Sequence, residues 1–151
     1  MATANLPYVD PSALLKLYLH EPESQRMTAW RGRVAGPLPV THHGRVELIN
    51  GLALAAHRRL IDEHGYAAAL AALDDDFEQG RYRQADLLWR ATLNRAAELS
   101  REHSRKLGTR SLDVLHVASA LELGLRSFVS FDTRQQNLVR AVGLKLMVPA
   151  G

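Results

Sequence analysis

Short apolar runs alternate along the chain with longer stretches of helical periodicity. Runs of apolar, β-branched and aromatic residues between turn residues predict strands, and the chain has four, at residues 6–10, 36–41, 127–131 and 144–148. Elsewhere apolar residues recur every three or four positions, which is typical of amphipathic helices. The predicted helices begin at Pro11 and then cover residues 23–32, 45–64, 67–77, 82–106, 111–124 and 133–142.

The order of these elements predicts the fold class. Strands separated by helices form a parallel sheet with helices on both faces, because parallel strands need crossover connections. The 151 residues are the usual length of one domain, and the pattern shows neither an internal repeat nor a linker. We therefore expect a single α/β domain over residues 1–151.

Composition narrows the functional class. The chain is 46% hydrophobic and 23% charged, as in ordinary globular domains, and no apolar run reaches the ~20 residues of a membrane-spanning helix. No basic segment followed by an apolar one opens the chain, so no secretory signal is expected. The lack of cysteine excludes disulfides, thiolate zinc sites and cysteine nucleophiles. We expect a cytoplasmic protein with no membrane partner.

The basic residues are unevenly distributed. Residues 1–80 carry 7 Lys and Arg against 10 Asp and Glu, whereas residues 81–151 carry 12 against 6. Arg provides 16 of the 19 basic residues, and its planar guanidinium suits phosphate groups. The pattern has two interpretations: a half of the chain that binds nucleic acid, or GC-biased codon usage with ordinary surface charge.

Four carboxylates lie at the ends of predicted elements. Asp10 and Asp132 each end a strand, and sites in α/β proteins form at the carboxyl ends of the strands. Asp113 and Glu47 lie in the first turns of apolar helices. Taken singly, these acids are explained as helix caps or by the helix macrodipole. Taken together, acids that converge in apolar surroundings repel one another, which favours a hard cation such as Mg²⁺ or Mn²⁺.

Other titratable residues give weaker signals. Residues 74–76, all Asp, form the densest acidic run together with Glu78, but consecutive helical residues point in different directions, so a solvated helix end is the better interpretation. His42 and His43 have no third zinc ligand nearby. His116 lies three residues after Asp113 on the same helix face, as a packed core residue, a proton carrier or a neighbour of a metal ligand.

Missing motifs exclude several enzyme classes. The chain has no Gly-x-x-x-x-Gly-Lys-Ser/Thr loop, no Gly-x-Gly-x-x-Gly fingerprint and no Gly-x-Ser-x-Gly elbow. A two-aspartate phosphatase needs a second Asp where this chain has Ser12. A phosphoacceptor receiver domain needs an acidic pair after its first strand, which is also missing.

Four segments, taken together, carry a resemblance to a known family. The segments are Tyr8-Val-Asp-Pro-Ser-Ala-Leu-Leu-Lys-Leu-Tyr18 with Glu21-Pro-Glu23, Arg45-Val-Glu-Leu48, Arg110-Ser-Leu-Asp-Val-Leu-His-Val-Ala-Ser-Ala-Leu121, and Phe128-Val-Ser-Phe-Asp-Thr-Arg-Gln135 followed by Ala141-Val-Gly-Leu144. In order and spacing they cover nearly the whole chain. They resemble the PIN-domain family, and specifically the VapC-type ribonuclease toxins of toxin–antitoxin pairs.

The resemblance implies a three-layer α/β/α fold with a central parallel sheet and the activity of a Mg²⁺- or Mn²⁺-dependent endoribonuclease. It also implies a homodimer, and inhibition by a VapB-like antitoxin whose C-terminal segment lies across the active site. The alternative is a non-catalytic PIN-like module for nucleic-acid binding or assembly. Against this alternative, four retained acids would repel phosphates on a purely binding surface.

The resemblance also implies roles for particular residues. The catalytic residues would be an acidic quartet of Asp10, Glu47, Asp113 and Asp132. Within it, Asp10 and Asp113 are the expected ligands of the first metal ion. Ser12 is expected to cap the first helix and to orient Asp10, while Ser130 is the small hydroxyl residue that precedes Asp132. The chain departs from the family pattern at residues 42–43, both His, where small hydroxyl residues are more usual.

RNA contacts are expected from the basic half of the chain. Residues 81–110 contain 8 Lys and Arg against 3 acids, and contacts to phosphates dominate affinity for nucleic acid. We predict that Arg101 and Arg105, one turn apart on one helix face, bind the RNA backbone.

Overall fold

Five short strands form the central layer within residues 6–150, the part of the chain that the computed structural model describes. They are β1 (Tyr8–Val9), β2 (Leu38–Thr41), β3 (Tyr82–Ala85), β4 (Ser127–Val129) and β5 (Lys145–Met147). All pairings are parallel: β1 with β4, β4 with β5, and β2 with β3. Strand β1 lies beside β2, where Tyr8 Oη is 3.4 Å from Thr41 Oγ1. The layer therefore runs β3-β2-β1-β4-β5.

Helices cover both faces of this layer. In chain order they are α1 (Pro11–Leu14), α2 (Ser24–Arg33), α3 (His42–His57), α4 (Glu63–Glu78), α5 (Trp89–Leu99), α6 (Arg105–Leu107), α7 (Ser111–Glu122) and α8 (Thr133–Ala141), with a 3₁₀ turn at Leu15–Leu17 and a π-helical segment at Ser100–Ser104. Within the described residues, no helix is long and apolar enough to cross a bilayer.

Two separate cores show why the fold has three layers. Successive strand residues point to opposite faces of a sheet. Val9 and Val129 therefore pack with α1 to α4, whereas Tyr8 and Phe128 pack with α5, α7 and α8. The α/β/α architecture with a central parallel sheet is confirmed.

Side-chain caps fix the helices that begin at the carboxyl ends of the strands. Asp10 follows β1 and caps α1, accepting the backbone N–H of Ser12 at 3.0 Å. Asp132 follows β4 and caps α8, accepting the backbone N–H of Gln135 at 2.9 Å. Thr41 ends β2 and caps α3 in the same way. A cap joins a strand end directly to a helix start, so these side chains lie at one edge of the sheet.

The structure corrects the predicted helix over residues 82–106. Its first residues form strand β3, because Tyr82 and Ala85 are buried beside β2 and long-range pairing outweighs their local helical pattern. Helix α5 begins only at Trp89, and a π-helical segment separates it from α6.

Helix α3 also differs from its prediction. It begins at His42 rather than at residue 45, because the side chain of Thr41 caps it there. It ends at His57 rather than near residue 64, since Arg59 adopts a left-handed backbone conformation with φ of 60°. Helix α4 then begins at Glu63, four residues earlier than predicted, because Asp62 caps it.

Candidate active site

The four carboxylates singled out in the sequence line one cleft of about 520 Å³. Asp10 and Asp132 follow strands β1 and β4, and Asp113 lies in the first turn of α7. Glu47 comes from α3, in its second turn rather than its first, because the helix begins earlier than predicted. The cleft therefore opens at the carboxyl edge of the two central strands, where parallel sheets form their sites.

Asp10 is buried, and both oxygens of its carboxylate accept hydrogen bonds. Oδ2 accepts the backbone N–H and the hydroxyl of Ser12, and Oδ1 accepts the side-chain amide N–H of Gln135 at 2.9 Å. The expected cap is thus reversed: Asp10 caps the helix, and Ser12 donates to it. These donors fix the direction in which the Asp10 carboxylate faces the cleft.

Gln135 is fully buried and contacts three segments of the site. Its Oε1 accepts the hydroxyl of Ser130 at 2.7 Å, while its Nε2 donates to Asp10 and to the backbone carbonyl of Asp113 at 3.3 Å. Ser130 in turn accepts the backbone N–H of Asp132 at 3.1 Å. Sequence reasoning missed Gln135, although it closes the fourth segment of the resemblance, because only the folded chain shows its partners.

Asp113 and Asp132 share one positively charged neighbour. The guanidinium Nε of Arg110 lies 3.3 Å from Asp113 Oδ2, and its terminal nitrogen lies 4.0 Å from Asp132 Oδ2. Burial nevertheless raises the pKa of Asp113, and the nearby carboxylates of Asp10 and Asp132 raise it further, so Arg110 only partly offsets the shift. This part of the cleft therefore holds more negative charge than its own cation neutralises.

Glu47 faces a different set of partners. Its carboxylate accepts a hydrogen bond from Nε2–H of buried His116. Tyr8 Oη lies 2.5 Å from the other ring nitrogen, Nδ1. Burial raises the pKa of Tyr8 well above its usual range, so the phenol stays protonated and we assign it as the donor to Nδ1. His116 is therefore both a packed core residue and the direct support of Glu47.

The two adjacent histidines have separate environments and do not form a ligand pair. His43 stacks on the ring of His116 with 4.7 Å between centroids, and burial lowers the pKa of His43 to about 4, with smaller contributions from His116 and His42. His42 instead points to Asp86, 2.9 Å away, and both side chains are largely exposed. Neither histidine lines the acidic cleft.

The arginines predicted to bind RNA lie outside the cleft. Arg101 is exposed in the π-helical segment, where it lines a shallow groove with Glu98 and Glu102, and Arg105 is exposed in α6. Arg110, from the same basic stretch, does line the cleft. The signal of positive charge was therefore present in the sequence, but the position of the site-facing arginine was not.

The acidic run at residues 74–76 lies in the last turns of α4, away from the cleft. Arg81 holds it, with a terminal nitrogen 3.3 Å from Asp75 and 2.7 Å from Asp76. The Tyr18 hydroxyl also donates to Asp76. Arg45 lies 4.0 Å from Asp74, so the run is a helix end that pairs with two arginines.

The cleft residues fit a hard divalent cation by their chemistry. Mg²⁺ needs only one or two protein carboxylates and completes its shell with water and substrate oxygens. The cleft offers carboxylate oxygens, and the guanidinium of Arg110, which lies beside Asp113, shows that these oxygens attract positive charge. Within residues 6–150, no group of three or more His, Asp or Glu side chains is arranged to hold a metal ion by itself. The donor set therefore suits Mg²⁺ or Mn²⁺, held with water, rather than a fully enclosed ion.

This three-layer fold, with acids gathered at the carboxyl edge of its central strands, defines a class of α/β protein with an acidic cleft. The family model of the PIN domain matches residues 8–141, and the chain belongs to the PIN-domain family. Among solved structures, the chain is similar to FitAcB from Neisseria gonorrhoeae, with 18% identity, a TM-score of 0.62, and coverage of 93% of this chain and 96% of that one. No curated protein matches the chain.

Proposed function

We propose that this protein is a Mg²⁺- or Mn²⁺-dependent endoribonuclease that serves as the toxin of a VapBC-type toxin–antitoxin pair. PIN domains are generally metal-dependent nucleases, and the four sequence segments resemble VapC-type toxins in particular. The observation that carries the proposal is the convergence of Asp10, Glu47, Asp113 and Asp132 on one cleft. Because this function acts on cellular RNA, it also implies a cytoplasmic location.

Asp10 and Asp113 would hold the divalent ion in this proposal, with Asp132 beside them. When bound, the ion supplies an acidified water and positive charge to stabilise the phosphate transition state. Asp10 is suited to this role because Ser12 and Gln135 already fix its orientation. Burial, with a smaller contribution from the neighbouring carboxylates, raises the pKa of Asp113, and a bound cation would lower it by favouring the ionised form.

Glu47 and Arg110 both line the cleft and act on the substrate in different ways. Glu47 accepts a proton from the attacking water, and His116 keeps its carboxylate in place through the Nε2–H bond. Arg110 is largely exposed, and its guanidinium is free to turn from the carboxylates toward a phosphate of the RNA. The carboxylates thus hold the ion and orient water rather than attack the phosphorus.

The partners in this proposal are RNA, a VapB-like antitoxin and a second copy of the chain. Leu54 and Leu112 are exposed and line the cleft, so an antitoxin segment that covers the carboxylates also buries apolar surface. Exposed Val46, Trp89 and Leu93 lie outside the cleft and support a homodimer, because association removes apolar side chains from water.

A cleavage assay on single-stranded RNA labelled at one end tests the proposed activity. Wild-type protein with Mg²⁺ should cut the RNA internally, and EDTA should stop the reaction. Asp113→Asn should lower the rate by at least 100-fold, whereas the matched control Asp74→Asn, on exposed α4, should keep it. Full cleavage by Asp113→Asn would contradict the site assignment. Tight RNA binding without any cleavage would favour the non-catalytic module.

A further inference from the structure

Gln135 has a buried side-chain amide whose oxygen and nitrogen both form hydrogen bonds within the site. The amide oxygen accepts the hydroxyl of Ser130, and the amide nitrogen donates to Asp10 and to the carbonyl of Asp113. Its own backbone N–H is taken by Asp132. The side chain therefore connects the end of β1, the start of α7 and Ser130 after β4, and the backbone of the same residue reaches the cap of α8.

The hydrogen-bond partners determine which way the amide faces. The carboxylate of Asp10 and the carbonyl of Asp113 only accept, so the NH₂ group must point at them. The Ser130 hydroxyl, which already accepts the Asp132 backbone N–H, is left to donate to Oε1. The opposite orientation of Gln135 would place acceptor against acceptor on one side. The network thus permits one arrangement of the amide.

The neutrality of this donor matters for the charge of the site. A buried Lys or Arg in the same place would also satisfy Asp10 Oδ1, but it would cancel the negative charge that a divalent cation needs. An amide donates a hydrogen bond and adds no net charge. Asp10 is therefore fixed in direction while its charge stays available to the cleft.

We propose that Gln135 is a positioning residue that sets the spacing of Asp10, Asp113 and Asp132 for the metal ion. The proposal rests on the function proposed above. Gln135 does not face the substrate, because it is fully buried behind the carboxylates and does not line the cleft. Its loss should weaken the binding of the ion first and lower the rate of cleavage as a consequence.

The test compares Gln135→Met with the neighbouring control Gln136→Met, because Met keeps the length of Gln but donates no hydrogen bond. Gln136 is half-buried and donates to the Ser130 carbonyl at 2.8 Å, so the control also loses a partly buried hydrogen bond from the same helix. Calorimetric titration with MgCl₂ or MnCl₂ gives the metal Kd of each purified protein. We expect at least a tenfold weaker Kd for Gln135→Met and less than a twofold change for Gln136→Met.

The dependence of the cleavage rate on Mg²⁺ gives a second measurement. Gln135→Met should need a higher Mg²⁺ concentration for its half-maximal rate and recover part of that rate at saturation. Ser130→Ala keeps the amide but removes the hydroxyl that orients it, so a smaller loss of metal affinity, about two- to fivefold, is expected and serves if Gln135→Met fails to fold.

The outcomes separate the two proposals. An unchanged metal Kd in folded Gln135→Met, with wild type binding metal normally, overturns the positioning role and leaves the nuclease proposal standing. Equal losses in Gln135→Met and Gln136→Met also overturn it, because the effect then comes from helix α8 in general. Failure of the wild type itself to bind either ion overturns the proposed function and the role of Gln135 with it.

Discussion

The two walls of the cleft hold their carboxylates by different chemistry. The aspartate wall (Asp10, Asp113 and Asp132) is built from helix caps, the neutral amide of Gln135 and an exposed Arg110. The glutamate wall is Glu47 alone, supported by the imidazole of His116. The donors to Asp10 add no positive charge, and Arg110 offsets only part of the negative charge near Asp113, which suits a cation. Glu47 instead lies beside an imidazole, a side chain that can exchange a proton. In the proposed function, the aspartates bind the metal ion and Glu47 accepts the proton.

Burial acts on the two walls with opposite consequences for pH. In the aspartate wall, burial raises the pKa of Asp113, so the neutral acid is more favoured in the folded protein than in the unfolded chain. Behind the glutamate wall, burial lowers the pKa of His43 to about 4, so the folded protein favours the neutral ring. Both groups resist charge in the folded state, but one loses its charge by gaining a proton and the other by releasing one.

Removal of Asp10 should have the largest effect, because this residue caps helix α1 and, in the proposed function, is also a metal ligand. Asp10→Ala should reduce RNA cleavage below detection and lower the free energy of unfolding by about 1–2 kcal/mol. Asp62→Ala is the matched control, since Asp62 caps α4 by the same kind of bond, at 2.7 Å, on the surface. Urea melts should show a loss of stability in both variants, and only Asp10→Ala should be inactive.

Glu47→Gln should separate the two walls. We expect cleavage to fall by about 100-fold, since a general base contributes on that order, while the Mg²⁺-dependent rise in melting temperature stays as in wild type. Asp113→Asn should instead lose most of the Mg²⁺-dependent rise in melting temperature. In wild type, this rise reflects a stabilisation by bound ion of about 2.7 kcal/mol at a hundredfold excess of ion over Kd. Thermal melts in EDTA and in Mg²⁺ measure the rise, and its loss in Glu47→Gln would assign Glu47 to metal binding.

The pH dependence of stability in EDTA should sharpen the contrast further. The raised pKa of Asp113 means that the folded protein binds the proton more tightly than the unfolded chain, so its contribution to stability falls as pH rises from about 4 through the raised pKa. The lowered pKa of His43 makes stability fall instead as pH drops from about 6.5 toward 4. Because the His43 ring is partly exposed, solvent screening limits its share to about 1 kcal/mol.

Single variants separate these two contributions. Urea melts between pH 4 and 8 should show that His43→Gln loses less stability on acidification than wild type does. Asp113→Asn in EDTA should be at least as stable as wild type at pH 7, because one repelling charge is gone. A destabilised Asp113→Asn, together with a wild type that is itself indifferent to Mg²⁺, would identify Asp113 as an ordinary helix-start carboxylate.

The smallest effect is expected from the surface arginines outside both walls. Replacing Arg101 and Arg105 with Gln in an inactive Asp113→Asn background should lower the salt dependence of RNA binding, with a change in slope of roughly 0.7 for each phosphate that is no longer neutralised. Exposed Arg33 and Arg58, from the acidic half, provide the control pair. A slope that changes only in an Arg110→Gln variant would place the RNA at the cleft rim instead.

Sequence reasoning found the fold and the carboxylates for one shared reason. Strand ends and helix starts carry local signals, and Asp10 and Asp132 lie at such boundaries, so the parallel topology alone could place them together. The α/β/α fold and the PIN family are confirmed. The catalytic roles of the acids stay predictions.

The features that sequence reasoning missed all depend on contacts between distant segments. Strand β3 lacks a continuous apolar run, and it forms because β2 offers a parallel partner. Gln135 has no local pattern that marks it, since its importance comes from Asp10, 125 positions away. Arg110 stood within the predicted basic stretch, but only the turn before α7 shows that its guanidinium reaches the carboxylates.

The pairing of β1 with β4 has a consequence for biosynthesis. Tyr8 aligns with Phe128, and Val9 with Val129, so β1 is paired by a strand that follows it much later in the chain. Chains are synthesised from the N-terminus. A nascent chain that stops before Gln135 therefore lacks the amide that binds Asp10, and one that stops before Asp132 lacks that carboxylate as well. The cleft therefore forms only after Gln135 has been synthesised, and under the proposed function a product that terminates before Gln135 should not cleave RNA.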